Sequence, residues 1–267
     1  YRVYDSYETL LQDDDIDIVD ICTPTPQHAP LAIAALRAGK HVFCEKPMAF
    51  TVNEAAQMEN AARENNRFLT IGHCLRFDAH YETVKKFVDE QTYGAPLYAR
   101  LFRIADTPPS WFRDQNKSGG VLLDMNIHDI DAALWWFGVP QSSQCRGVFH
   151  NGLLSFSDAT FEYSQGLRVS VHGAWDPNGR DFAMGFEVAF KNATVAWDSS
   201  KSPDLVLFQN DKSEILPVEK THMYRCEFEE FVNCVREARE PKIVTPQSSR
   251  QTLETTLQLL QMCEASR

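Results

Sequence analysis

The chain has 267 residues, 43% apolar and 24% charged, the make-up of a soluble globular protein with ample core. It carries 26 basic against 37 acidic side chains, a net charge of −11 with no basic stripe, which argues against nucleic acid or an anionic membrane as a partner. Seven scattered cysteines, never spaced as Cys-x-x-Cys, read as small core hydrophobes of a reducing cytosol and so suggest a cytoplasmic protein. No metal-ligand set is indicated, no run of about 18 apolar residues offers a membrane span, and the N-terminus shows neither signal peptide nor initiator methionine.

In chain order, "IDIVDIC" (16–22) reads as a strand and "HAPLAIAALRAGK" (28–40) as a helix, with Pro30 in its first turn and Gly39 closing it. "HVFC" (41–44) is the next strand. A helix over 51–67 opens at Thr51 with Glu54 three residues on, and "FLTIG" (68–72) is a third strand. Strand–helix–strand repeats at this spacing predict a parallel sheet covered by helices. After a helix at about 78–91 the pattern changes. A long helical stretch is expected over 119–138, and "SDATFEY", "LRVSVHG" and "FEVAF" alternate as antiparallel strands with one buried face. Helices over about 222–239 and 246–265 close the chain. The architecture is α/β over 1–75 followed by α+β over 76–267.

Ligands of open parallel sheets sit at the carboxyl ends of the strands. The first strand runs into Thr23, Pro24 and, after a short turn, His28. The second runs into Glu45, Lys46 and Pro47. Neighbouring strands would bring both groups to one crevice, although singly they are also ordinary loop residues. In "SGGVLLDMNIHDID", Asp124 and His128 are four apart and would share one helix face. A carboxylate beside an imidazole suits a general base, and equally a solvated pair at a helix start.

Together "VDICTPTPQHAPLAIAALRAGKHVFCEKPMAFTVNEA", "IGHCLRF" and "SGGVLLDMNIHDID" resemble the Gfo/Idh/MocA family of NAD(P)-dependent oxidoreductases, most of all its inositol dehydrogenase branch. The resemblance implies a Rossmann-type domain, then a domain with an open, mostly antiparallel sheet. It implies NAD or NADP as cofactor, a polyol or sugar as substrate, and a homo-dimer or homo-tetramer. Lys46, Asp124 and His128 become catalytic, with His128 the proton acceptor and Lys46 a cation steadying the alkoxide. Thr23, Pro24, His28, Glu45, Lys46 and Pro47 border the cofactor. Lys46, Arg76, Trp111, Asp124 and His128 meet the substrate. The family's glycine-rich pyrophosphate turn is not found in these 267 residues, which start just after the usual second strand, so the domain reads as N-terminally truncated and weak in NAD(P) binding by itself. The same resemblance leaves open an NAD-dependent glycosidase and a sugar-sensing regulator that performs no chemistry. For the oligomer, Trp175, Phe182, Phe186 and Trp197 offer more aromatic surface than one core needs.

Overall fold

The computed structural model describes residues 2–219 and 222–267. After a short helix, α1 (Tyr7–Leu11), three apolar runs become the parallel strands β1 (Ile18–Ile21), β2 (His41–Cys44) and β3 (Leu69–Ile71), in that spatial order. The helices between them are α2 (His28–Arg37) and α3 (Val52–Glu64). Thr51 accepts from the Glu54 backbone while the Glu54 side chain reaches back to Thr51, so α3 starts where its capping box dictates.

The chain forms two compact units, Tyr1–His73 with Tyr224–Glu254, and Cys74–Met223 with Thr255–Arg267. Residues 224–254, grouped by the sequence reading with the second domain, belong to the first. The helix α7 (Met223–Arg236) sets Phe228 and Phe231 edge-on to Phe43 of β2, with ring centroids 5.5 and 5.9 Å away. Thr70 of β3 donates to the Val244 carbonyl at 3.0 Å, and Arg250 pairs with Glu59 of α3 at 2.8 Å. The pull is tertiary and leaves no local periodicity to read.

In the second unit, helix α4 (Ala79–Asp89) leads into the long strand β4 (Pro96–Asp106). A single helical turn, α5 (Gln115–Ser118), and α6 (Ile127–Phe137) follow. Then come β5 (Ser142–His150), β6 (Leu153–Glu162), β7 (Arg168–Asp176), β8 (Ala183–Phe190), β9 (Thr194–Asp198), β10 (Leu205–Gln209) and β11 (Lys212–Leu216). The last helix is α8 (Pro246–Ala265). The sheet order is β11-β10-β9-β8-β4-β7-β6-β5, antiparallel except for β4 beside β7. Tyr81 of α4 and Trp136 of α6 meet Phe186 edge-on at 5.1 and 5.2 Å, which seats both helices on one face. Trp175, Phe186 and Trp197 are buried in that core and only Phe182, of the four aromatics assigned to an interface, is exposed. No helix among the described residues is long and apolar enough to cross a membrane.

The stretch expected as one helix over 119–138 is helical from 120 to 137, but its second turn is wider than an α-helix. Gly119 and Gly120 take left-handed φ values of 72° and 70°, which ends α5. Leu122–Asn126 then forms a wide, π-helical turn before α6 begins. The turn lays Asn126 across β7. Its amide donates to the His172 carbonyl at 3.2 Å and its carbonyl accepts from Ser157 at 2.8 Å. Room for it comes from Gly173, where a Cβ would lie 1.4 Å from Asn126 Oδ1. Gly173→Ala should therefore destabilise by about 3 kcal/mol in chemical denaturation, from overpacking plus the displaced amide. Asn126→Ala in the same chain should recover part of the loss, and strictly additive effects of the two changes would contradict this packing.

Candidate active site

In the first unit, the carboxyl ends of β1 and β2 lie side by side in register, Ile21 opposite Cys44. His28 is what joins the two turns beyond them. It is buried, with Nδ1 2.8 Å from the Pro47 carbonyl and Nε2 2.7 Å from the Thr23 carbonyl. A residue expected on the cofactor border thus serves as a tie between the β1 turn and the Lys46–Pro47 turn, whose peptide bond is cis. Pro24 is exposed and introduces the short helical turn Thr25–Gln27. Thr23 Oγ1 is buried and finds no hydrogen-bond partner among the described residues.

Glu45 and Lys46 are half-buried at the end of β2. The Glu45 backbone amide donates to Ile21 at 2.9 Å, and its carboxylate accepts from the Lys46 amide at 3.2 Å. Burial raises the Glu45 carboxyl above its ordinary range, opposed by the adjacent Lys46. Missing from the sequence reading is Glu227 of α7, 4% exposed, whose Oε2 has no hydrogen-bond partner among the described residues. Burial first, then the charges of Glu45 and Asp20, push its carboxyl up to about 9. The one available signal was "EFEEF", where Glu227 falls four residues before buried Phe231 and so on the same helix face.

In the second unit, every residue from Ser118 to Leu134 is buried except Asp124 and His128. The two half-exposed side chains therefore emerge from a segment packed everywhere else. Asp124 lies in the wide turn and His128 in the first turn of α6, so the four-residue step between them runs from π-helical into α-helical winding. Flanking charges clamp that helix. Asp131 takes Arg76 through two hydrogen bonds of 2.9 and 2.7 Å, and Asp129 takes Arg103 through two of 2.9 and 3.2 Å. All four are buried. Arg76, expected at the substrate, is thus a buried partner of α6. Trp111 stands in the loop after β4, half-buried and stacked on Phe112 with centroids 4.0 Å apart. A cleft of about 320 Å³ opens near that loop between Asp106, Arg113, His150 and Ser155. Among the described residues no group of three or more His, Cys, Asp or Glu is arranged to hold a metal ion.

Residues 1–73 match the family model described as "Oxidoreductase family, NAD-binding Rossmann fold", and residues 81–196 the model of the GFO/IDH/MocA C-terminal domain. The myo-inositol 2-dehydrogenase of Thermotoga maritima is 34% identical over 153 residues, 57% of this chain and 44% of that protein. The scyllo-inositol 2-dehydrogenase (NAD(+)) of Bacillus subtilis is 28% identical over 256 residues, 90% of this chain and 73% of that one. Among solved structures, the UDP-N-acetylglucosamine 3-dehydrogenase of Acidithiobacillus ferrooxidans superposes with a TM-score of 0.85 at 25% identity, covering 99% of this chain and 83% of that one. The chain thus spans less than half the length of the Thermotoga relative.

The raised carboxyl of Glu227 gives a signed expectation. A carboxyl protonated up to about pH 9 in the folded state and about 4.5 unfolded stabilises fully below pH 4.5, and that contribution is lost as pH rises toward 9. Glu227→Gln should match the parent near pH 4.5 and exceed it by a few kcal/mol at pH 8–9 in urea titrations. A parent-to-variant difference that does not change with pH would refute the assignment.

Proposed function

The chain belongs to the Gfo/Idh/MocA family, and from that premise we propose that its residues serve an NAD(P)-dependent dehydrogenase acting on a secondary alcohol of a polyol or sugar, with an inositol-like ring favoured. The observation that carries the reading is the pair Asp124 and His128, the only half-exposed members of an otherwise buried seventeen-residue segment. Evolution of a stable core would not by itself place an ionisable pair there. The inositol dehydrogenases among the relatives support the substrate class. The accompanying Lys46 counts against a pure sensor, which needs no proton acceptor and no alkoxide cation.

The first unit fits a nicotinamide cofactor on its own atoms. Thr23 offers a buried hydroxyl without a protein partner at the strand end, and Glu45 a half-buried carboxyl beside it in the sheet. When bound, the nicotinamide supplies the hydride acceptor. The chain's part is proton handling and charge. His128 receives the hydroxyl proton as the carbonyl forms, Asp124 orients the imidazole, and the Lys46 ammonium stabilises the oxygen while it carries negative charge. The Arg76–Asp131 and Arg103–Asp129 pairs hold His128 at a fixed height on α6. Self-association belongs to the same proposal. Tyr98, Phe208 and Ile215 are exposed on the sheet, on the face that also carries Arg100 and Glu187.

Alcohol oxidation followed as NADH formation tests the assignment. The rate should rise with pH through one ionisation and then level off, and His128→Ala should remove that limb and lower kcat/KM by about 10²–10⁴. Asp124→Asn should lose less. Lys46→Met should lower kcat by about 10²–10³ with the KM for cofactor largely kept. An unchanged pH limb in His128→Ala would move the proton to another group, and near-normal turnover in Lys46→Met would remove the lysine from the chemistry.

A further inference from the structure

Two thiols lie together in the second unit, in a place the dehydrogenase reading does not use. Cys145 sits in the edge strand β5 and Cys263 in the last turn of α8, 118 residues apart in sequence, with their sulfurs 3.2 Å apart and hydrogen-bonded. Both are free and buried, Cys145 at 7% and Cys263 at 0% exposure. The approach is built by a glycine. Gly147 lies two residues from Cys145 on the same strand face, and a Cβ there would come within 3.0 Å of the Cys263 sulfur and 2.4 Å of Leu154. Nearby, the Arg267 guanidinium stands 4.6 Å over the Phe149 ring of β5, a second hold on the end of the helix.

We propose that Cys145 and Cys263 are a reversible oxidation site that closes to a disulfide when a hydroperoxide reaches it. The two thiols are unequal in a useful way. Their contact draws Cys263 below the ordinary thiol range and pushes Cys145 above it, so Cys263 is the one of the two that gives up its proton first. Cys263 is also the only buried residue among the last seven, 261–267. Opening that single turn exposes it, and terminal turns are where local opening is easiest. Exposed Cys22 is a poorer competitor. Burial of its sulfur and the neighbouring Asp20 push its thiol up to about 12.

The steps balance. The Cys263 thiolate attacks the O–O bond of hydrogen peroxide, giving a sulfenic acid and hydroxide, and the hydroxide takes the Cys145 proton to become water. The Cys145 thiolate then attacks the sulfenic sulfur and expels hydroxide, which is protonated from solvent. Two thiols and one peroxide become one disulfide and two waters, with two electrons passing from sulfur to oxygen. The sulfurs close from 3.2 Å to about 2.05 Å, a shift within reach of a side-chain rotation in the last helical turn. A dithiol reductant reverses the bond by exchange.

The native chain is treated with a small excess of hydrogen peroxide, alkylated, and mapped by non-reducing digestion. The expected result is a loss of about 2 Da and one cross-linked peptide pair joining Cys145 to Cys263, both reversed by dithiothreitol. The closed 118-residue loop should raise Tm on the order of 5–10 °C. Cys263→Ser and Cys145→Ser should each abolish the link and the Tm rise, while Cys22→Ser leaves both intact. Because the linkage is read on the unmutated chain, poor folding of a serine variant leaves the test whole. Oxidation of Cys22 without a Cys145–Cys263 link, advance of Cys263 to sulfinic acid without closure, or a link that appears only after denaturation would each overturn the proposal.

Discussion

An arginine at an inward-facing position of a central strand is tenable only if something meets its charge, and in this chain Asp129 meets Arg103 with two parallel hydrogen bonds in the middle of the second unit. The consequences run outward from that pair. Asp129 is the third residue of α6, so gripping it fixes the start of the helix on β4. Asn126 donates to the same carboxylate at 3.4 Å, which ties in the wide turn before the helix. Asp131, roughly 200° further round the helix, is gripped by Arg76 from the chain after β3. With two carboxylates of one helical turn anchored on different sides, the rotation of α6 is fixed, and with it the backbone that carries His128. The geometry of the proposed base is set by charges that take no part in its chemistry.

The first unit handles buried charge in the opposite manner. Glu227 and Glu45 both carry carboxyls raised by burial, and in Glu227 the neighbouring charges add to the effect, where an arginine would have offset it. Helix α7 is held there by the contact of Phe228 and Phe231 with Phe43, so the aromatic packing keeps Glu227 in a place its charge would leave. A proton keeps such a carboxyl neutral and makes it a donor at neutral pH.

Strong local signals were legible in the sequence. The capping box of Thr51 and Glu54, the three short apolar runs and the strand-end residues Glu45 and Lys46 all form as their patterns require. What escaped was decided at long range. Strand β4 reads poorly because an inward Arg103 interrupts its alternation, and the arginine makes sense only once Asp129 is opposite. The glycines at 119 and 120 mark where α5 stops, and the apolar residues after them do form a helix to Phe137, but nothing in their spacing announced the wide turn at Leu122–Asn126. Gly173 in mid-strand did mark a close approach, of the kind a glycine between β-formers signals, without naming Asn126 as the residue arriving. The return of 224–254 to the first unit left no periodic trace, since Thr70 to Val244 and Arg250 to Glu59 are single contacts.

The contrast between the two units bears on what a single substitution would cost in each. A buried Arg–Asp pair is nearly neutral for stability against a well-packed apolar substitute, but losing one partner strands the other as an uncompensated buried charge. A buried carboxyl facing other carboxylates has no such reciprocal protection, and replacement by Gln or Leu would relieve it at once. Glu227 lies four residues before Phe231 on the helix over β2, so a buried ionisable group stands there at a cost to stability, the pattern that marks candidate functional positions. It shares its unit with the Thr23 hydroxyl and the Glu45 carboxyl at the ends of adjoining strands, and beyond burial itself the charge of Glu45 is one of the two that raise it.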